Sequence, residues 1–264
     1  MMGFLDDARR ALALVRRQIT EPEVLIREER ERFLEKSHVL AGAVAHLNNN
    51  ALMAILGNVD LLETKLPADS PVLAHLEPIR VAVEKIRQLS VQLNDYSGGG
   101  CFVLREIDLA RMPDWGIYRF DDLALFVPIG DESFKLCADL EQIKRLVDHL
   151  IANAFEAIQD KRRTSMVTVR VGRAKFTQDQ LALAVPGSTL IPGEYVFIEV
   201  SDTGAGMTNE VMAKAFDPFF TTKFIGRGMG LPVVLGIVRG HHGAIFVQSE
   251  PGKGSTFQVL FPTC

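Results

Sequence analysis

Two hydrophobic rhythms divide this chain. From Leu40 to Leu61, apolar or small residues return in alternating steps of three and four, at Leu40, Val44, Leu47, Ala51, Ala54 and Leu61, with Asn58 on the same line. After a turn marked by Pro67 and Pro71, the rhythm resumes at Val72, Leu76, Ile79, Val83, Ile86, Ser90 and Leu93. This spacing is the stripe of a heptad-like helix, so the pattern predicts two long helices and a short turn, a helical hairpin. A single hairpin has too little partner surface for its seam. Two copies making a four-helix bundle would bury it, which predicts a homodimer. The alternative is a hairpin packed on the chain's own C-terminal part. Upstream, Leu5, Leu12, Val15 and Ile19 line one side of a short amphipathic helix candidate over residues 4–20. Thr20 and Pro22 then read as cap and first-turn proline of the hairpin segment.

Beyond Gly98-Gly99-Gly100 the pattern changes to mixed α and β. Strands are expected at Val167–Val171, Tyr195–Val200, Ala244–Gln248 and Ser255–Leu260, and helices at Leu140–Gln159, Asn209–Ala215 and Leu231–His241. Phe176–Pro192 reads as an extended hairpin loop. The predicted organisation is an N-terminal helix over residues 1–21, a helical hairpin over 22–97, a linker at 98–100 and an α/β domain over 101–264.

Composition narrows the class. A formal net charge of −4 gives no reason to expect a nucleic-acid surface. Cys101, Cys137 and Cys264 are odd in number and far apart, so they are expected as unpaired thiols in a reducing compartment. The longest apolar patch, Val39–Leu47, reads as too short to span a bilayer, and Asp6 and Asp7 stand where a secretory signal needs an apolar core. The expectation is a cytoplasmic protein without membrane insertion.

Four short motifs carry candidate chemistry: His149-Leu-Ile-Ala-Asn153-Ala154, Asp202-Thr-Gly204-Ala-Gly206-Met207, Phe216-Asp-Pro-Phe-Phe220 and Gly226-Arg-Gly228-Met-Gly230-Leu231. Asn153 lies on an amphipathic helix, and an amide oxygen suits Mg²⁺, which prefers oxygen ligands. Asp202 ends a strand and opens a glycine turn. Its carboxylate is able to accept a hydrogen bond from an exocyclic amine, while Gly204 and Gly206 permit close approach and positive φ. Gly226, Gly228 and Gly230 precede a helix, where unpaired N–H groups bind phosphate. Lys223 and Arg227 are near enough in sequence to meet phosphates, or are simply solvated.

In this order the motifs resemble the N, G1, F and G2 boxes of the sensor histidine kinases, members of the GHKL superfamily shared with DNA gyrase B and MutL. The likeness spans roughly Asp139 to Pro262, with Gly252-Lys-Gly-Ser-Thr-Phe257 continuing it into a final strand. It implies a dimeric helical hairpin followed by a GHKL-type α/β sandwich that binds ATP and Mg²⁺. Asn153 would hold the metal, and Asp202, Gly204, Gly206, Lys223, Gly226, Gly228 and Gly230 would line the nucleotide. Hydrolytic branches carry Glu where His149 stands, so His149 favours phosphoryl transfer. Glu156, three residues after Asn153, is left without a role beyond possible support.

On the hairpin, Ala45-His46-Leu47-Asn48-Asn49-Asn50 resembles the family's H box, with His46 as phosphoacceptor. A neutral imidazole supplies the attacking lone pair. Asn50 falls where the family positions water for dephosphorylating a partner; the bland alternative is a polar surface triplet. Leu47 departs from the pattern, which puts an acidic residue there to orient the ring and take its proton. The resemblance thus implies a histidine kinase core that phosphorylates His46 and passes the group to an Asp of a response regulator receiver domain, with an upstream sensor protein as a candidate input. Leu47 leaves open a kinase-weak regulator acting as phosphatase or scaffold. A GHKL ATPase is the third reading.

Overall fold

A computed structural model describes residues 36–98, 103–111, 124–128, 133–158, 166–185, 190–222 and 228–264. The expected helix over 4–20 and its Thr20–Pro22 start, Cys101, and the candidates Lys223, Gly226 and Arg227 lie outside them. The chain runs α1 (Lys36–Lys65), α2 (Leu73–Ser97), β1 (Arg105–Asp108), β2 (Ala124–Pro128), β3 (Lys135–Ala138) and α3 (Leu140–Ala157). It continues through β4 (Val167–Phe176), α4 (Gln178–Leu181), β5 (Gly193–Asp202), α5 (Asn209–Lys214), α6 (Gly230–Gly240), β6 (Ala244–Glu250) and β7 (Gly254–Pro262).

The C-terminal half is built on a five-stranded sheet in the order β2-β4-β5-β7-β6, antiparallel except for the β2–β4 pair. Alternation along β5 splits its side chains between two cores. Val196, Ile198 and Val200 join the main core with Ile143, Leu146 and Leu150 of α3 and Val233 and Ile237 of α6. Tyr195 and Phe197 point the other way and meet Leu181, Ala244 and Leu260. That second cluster is the first departure from the sequence reading. The segment expected as a plain loop after Phe176 instead forms α4, held by a Thr177/Gln180 capping box, and packs on the back of the sheet. Phe176 stacks on Phe246 there, with ring centroids 5.8 Å apart.

A small antiparallel sheet of β1 and β3 stands apart from the main one. Leu136 of β3 bridges Thr263, and next to this bridge Cys137 and Cys264 form a disulfide with Cα atoms 5.4 Å apart. The expectation of three unpaired thiols is corrected here. The two partners are 127 residues apart in sequence and become neighbours only when the chain's last residues return to β3.

The helical hairpin forms, but its seam is displaced. On α1 the buried residues are Ala41, Ala45, Leu52 and Val59, one position after the expected line. The expected seam residues Leu40, Leu47 and Leu61 are 65%, 67% and 53% exposed. A one-residue shift turns a helix face by about 100°. Small Ala41 and Ala45 let α1 approach its neighbours closely, which leaves the bulkier leucine strip uncovered by the described residues. On α2, Leu76, Val83 and Ser90 are buried while Ile79 and Ile86 remain open. One further expectation changes. Between Ser37 and Val59 there is no Asp, Glu, Lys or Arg. By length and composition α1 is therefore long and apolar enough to cross a membrane, unlike any other helix among the described residues.

The end of α2 docks on the α/β half. Gly98 closes the helix in the left-handed region (φ 61°), a conformation that glycine reaches without strain. Tyr96 is buried, with its ring edge against His38 of α1 (centroids 4.5 Å apart). A side chain at Gly236 of α6 would collide with the backbone carbonyls of Asp95 and Tyr96, so glycine is what allows this approach. Asp95 is clamped by Arg145 of α3, through Nε–Oδ2 at 2.7 Å and Nη2–Oδ1 at 3.1 Å.

Candidate nucleotide site and phosphoacceptor

The site begins at the start of α3. Asp139 caps this helix, its Oδ1 accepting from the backbone N–H groups of Glu141 (3.0 Å) and Gln142 (3.2 Å). Its own N–H donates to Nε2 of buried His241 (3.0 Å), whose Nδ1–H donates to the Ile237 carbonyl (2.8 Å). A ring nitrogen that accepts must be unprotonated, so His241 is neutral, and burial holds it below its ordinary pKa. α3 and α6 are thereby tied together before either reaches the pocket.

Ile143, Leu146, Val147, Leu150 and Ala154 anchor one face of α3 in the core. Asn153 lies at the margin of that stripe, with its Nδ2 buried and without a hydrogen-bond partner. A buried amide left unpaired costs free energy unless a ligand answers it. The Gly230 backbone lies so close that a Cβ there would stand 3.4 Å from both Asn153 amide atoms and 3.7 Å from His149 Nδ1. Burial holds the His149 ring below its ordinary pKa, opposed by Asp148 and Asp95.

β5 delivers Asp202, 7% exposed, whose Oδ1 accepts from the Gly204 N–H at 2.7 Å. The glycines after it are packing requirements as well as turn residues. A Cβ on Gly204 would come within 2.6 Å of the Ala157 carbonyl at the end of α3. Gly206, at φ 65°, has no room for a side chain because the Glu250 carbonyl fills that space. The Ala205 N–H donates to Ala157 (3.0 Å) and the Met207 N–H to Ser249 Oγ (2.8 Å), so this turn is fixed on two sides.

Phe219 adopts φ 63°, unusual for a non-glycine residue, and its N–H donates to the Gly228 carbonyl at 3.0 Å. The residue is 73% exposed. Gly228 then leads into α6, whose first turn has no side-chain cap. Pro232 removes one of the donors there, and the others are the N–H groups a phosphate would use.

Asn153, Asp202, Gly206, Gly228 and Gly230 line one cavity of about 200 Å³. Gly204 supports it from behind. The volume is below that of pockets enclosing a whole drug-sized ligand, so it suits a base with the phosphates running along the open side. Sequence reasoning missed several lining residues, among them Met207, Thr221, Thr222 and Ser255. Ser255 had a signal, since it belongs to the Gly252–Phe257 stretch and pairs with Asp202 in the β5–β7 register.

His46 is not in this cavity. It is exposed on α1 and lines a second space of about 700 Å³ between the hairpin and α3, with Asn49, Asn94, Asp95, Glu141 and Arg145. Asn153 is eight residues beyond Arg145, about 12 Å further along α3. Asn50 is exposed and lines neither space; Asn49 takes the place beside His46. Leu47 is exposed, so the packing role expected for it within the hairpin is not what this chain shows.

Comparison with known proteins gives a concordant result. Residues 138–264 match the family described as histidine kinase-, DNA gyrase B-, and HSP90-like ATPase. The chain is 32% identical over 230 residues to the sensor kinase CckA of Brucella abortus, covering 84% of this chain and 24% of that protein. It is 28% identical to the signal transduction histidine-protein kinase AtoS of Escherichia coli, covering 88% of this chain and 36% of AtoS. With the sensor histidine kinase ZraS of Escherichia coli it shares 25% identity, covering 93% of this chain and 49% of ZraS. The chain thus spans about a quarter to a half of the length of these relatives. Residues 138–264 belong to this family as a GHKL-type ATP-binding domain preceded by a helical region, and over most of its length the chain is similar to two-component sensor histidine kinases.

Proposed function

We propose that this chain is the core of a two-component histidine kinase that binds ATP, transfers the γ-phosphoryl group to His46 and passes it to an Asp of a response regulator. The observation that carries this reading is the convergence of Asn153, Asp202 and the start of α6 on one cavity, in a chain that also exposes a histidine on a helical hairpin. Asp202 would read the adenine amine, and the uncapped N–H groups of α6 would hold phosphates. The unpaired Asn153 Nδ2 donor and the side-chain-free cradle at Gly230 fit a phosphate oxygen of a nucleotide, and the oxygen of the same amide would be the atom to hold Mg²⁺. When bound, the ion neutralises charge on the phosphates. In the transfer, a ring nitrogen of His46 forms a bond to phosphorus, the bond to the β-phosphate oxygen breaks, ADP leaves and the ring gives up its proton.

His46 and the nucleotide cavity are separate spaces, so transfer requires the α/β half to move on the hairpin or a second chain to present its own histidine. The uncovered strip of Leu40, Leu47, Leu61, Ile79 and Ile86 supports a homodimer in which two hairpins make a four-helix bundle. The same strip would face lipid if α1 crossed a membrane. That arrangement would put His46 and Asn48–Asn50 near the bilayer centre, at high cost. The reading therefore keeps these residues in the cytoplasm, beside ATP and receiver domains.

Leu47 favours one second reading, a nucleotide-binding regulator with weak kinase activity that acts as a phosphatase or scaffold. Incubation with γ-labelled ATP and Mg²⁺ separates the two. Acid-labile, alkali-stable label on the parent chain and none on His46→Gln supports the kinase. ATP binding without any label supports the regulator.

A further inference from the structure

We propose that Cys137 and Cys264 form a reversible redox couple, a modification site for hydroperoxides and low-molecular-weight disulfides that tethers the chain's end to the root of α3. The inference does not depend on the kinase reading.

The two thiols meet beside a single antiparallel bridge between β3 and the segment after β7. Burial along β3 alternates, with Leu136 and Ala138 inward and Lys135 and Cys137 outward. Leu136 pairs with Thr263 across the gap to the chain's end. The next residue on each side is a cysteine, and their Cα atoms lie 5.4 Å apart, within the span a disulfide bridges. Both residues are exposed, so oxidant and reductant reach them without unfolding. Exposed disulfides are the labile class, whereas structural ones are shielded.

The position gives the bond its effect. Two residues after Cys137, Asp139 caps α3, receives the Val103 N–H at Oδ2 (3.0 Å) and donates to His241 on α6. The tether thus closes a ring between positions 127 apart in sequence, at the point where three elements are joined.

The chemistry balances with either oxidant. With a hydroperoxide, one thiolate takes an oxygen to become a sulfenic acid and releases the alcohol or water. The second thiol then displaces hydroxide, which leaves as water, and forms the S–S bond. With a disulfide, one thiolate makes a mixed disulfide and expels a thiol, and the second thiolate expels the other.

The test uses the intact chain, Cys264→Ser and Cys101→Ser, each treated with oxidised glutathione and then with dithiothreitol. After oxidation, maleimide should label one thiol of the parent, and after reduction three. Reduction should lower the parent's Tm by roughly 5–10 °C. Cys264→Ser should melt where the reduced parent does and ignore the reductant, while Cys101→Ser should keep the full shift. Three labelled thiols after oxidation would overturn the proposal. So would a bond that leaves Tm unchanged, or a shift that disappears with Cys101→Ser.

Discussion

The nucleotide cavity and the surroundings of His46 are built on opposite terms. Three walls of the first are extensions of the core. α3 is anchored by Leu146 and Leu150, β5 by Val196 and Ile198, α6 by Val233 and Ile237, and each element ends at the same space. His46 stands on an exposed helix whose bulkiest apolar strip has no cover among the described residues. The described walls of the first site come together within a single chain. The other is finished only by movement or by a partner. That division suits phosphoryl transfer, in which a bound nucleotide must be held still while the acceptor comes to it.

The sharpest way to break the comparison is to spoil the rigid half. Gly206→Val asks for a β-branched side chain at φ 65° against the Glu250 carbonyl. It should abolish ATP binding and lower Tm, read by nucleotide titration and thermal melting, while the far-ultraviolet helix signal of the hairpin persists. Arg145→Ala attacks the joint between the halves. It leaves the Asp95 carboxylate buried without its clamp, and burial already raises that group's pKa. The expected loss is about 3 kcal/mol, at the lower end for a broken buried pair because the Arg145 side chain is 36% exposed. Denaturant unfolding measures it, and Arg145→Lys should recover only part.

Leu47→Asp sharpens the other side. If His46 lacks only a neighbouring acid, labelling should accelerate by about 100-fold, from the usual value of acid–base help. Monomer stability should barely change, since Leu47 is exposed. Unchanged labelling would show that a different group already serves His46.

The smallest effect expected is on pH dependence. His38, His149 and His241 are all held below their ordinary pKa by burial, His38 at about 4 with Arg239 adding to the shift. Their neutral forms are favoured in the fold, so the unfolded chain binds more protons below its pKa near 6.5. Stability should be full above that value and fall as pH drops toward 4. The His38 share, at the joint where its Nε2 faces Arg239 Nη1 at 3.4 Å, should vanish in His38→Phe. Melting curves between pH 4 and 7.5 check the sign.

How far the sequence could be read follows the same division. α3, β5, α6 and the glycine turns were legible because each carries its own period or its own conformational demand. β1 and β3 were not, since four residues are too few to show alternation. The Asp95–Arg145 clamp and the cysteine pair join residues 50 and 127 positions apart, and no local pattern announces either. On α1, two apolar lines run side by side. The heavier one looked like the seam, but the one containing Ala41 and Ala45 is buried, because small residues decide how closely helices approach. Sequence pattern placed Asn153 and Asp202 on elements that converge. It could not show that Asn49, and not Asn50, would sit beside His46.

The most direct test measures ATP affinity and label incorporation together in the parent, His46→Gln, Asn153→Ala and Asp202→Asn. The account expects His46→Gln to bind ATP as the parent does and take no label, and expects the other two to lose both. Label on His46→Gln, or full ATP binding by Asn153→Ala and Asp202→Asn, would contradict it.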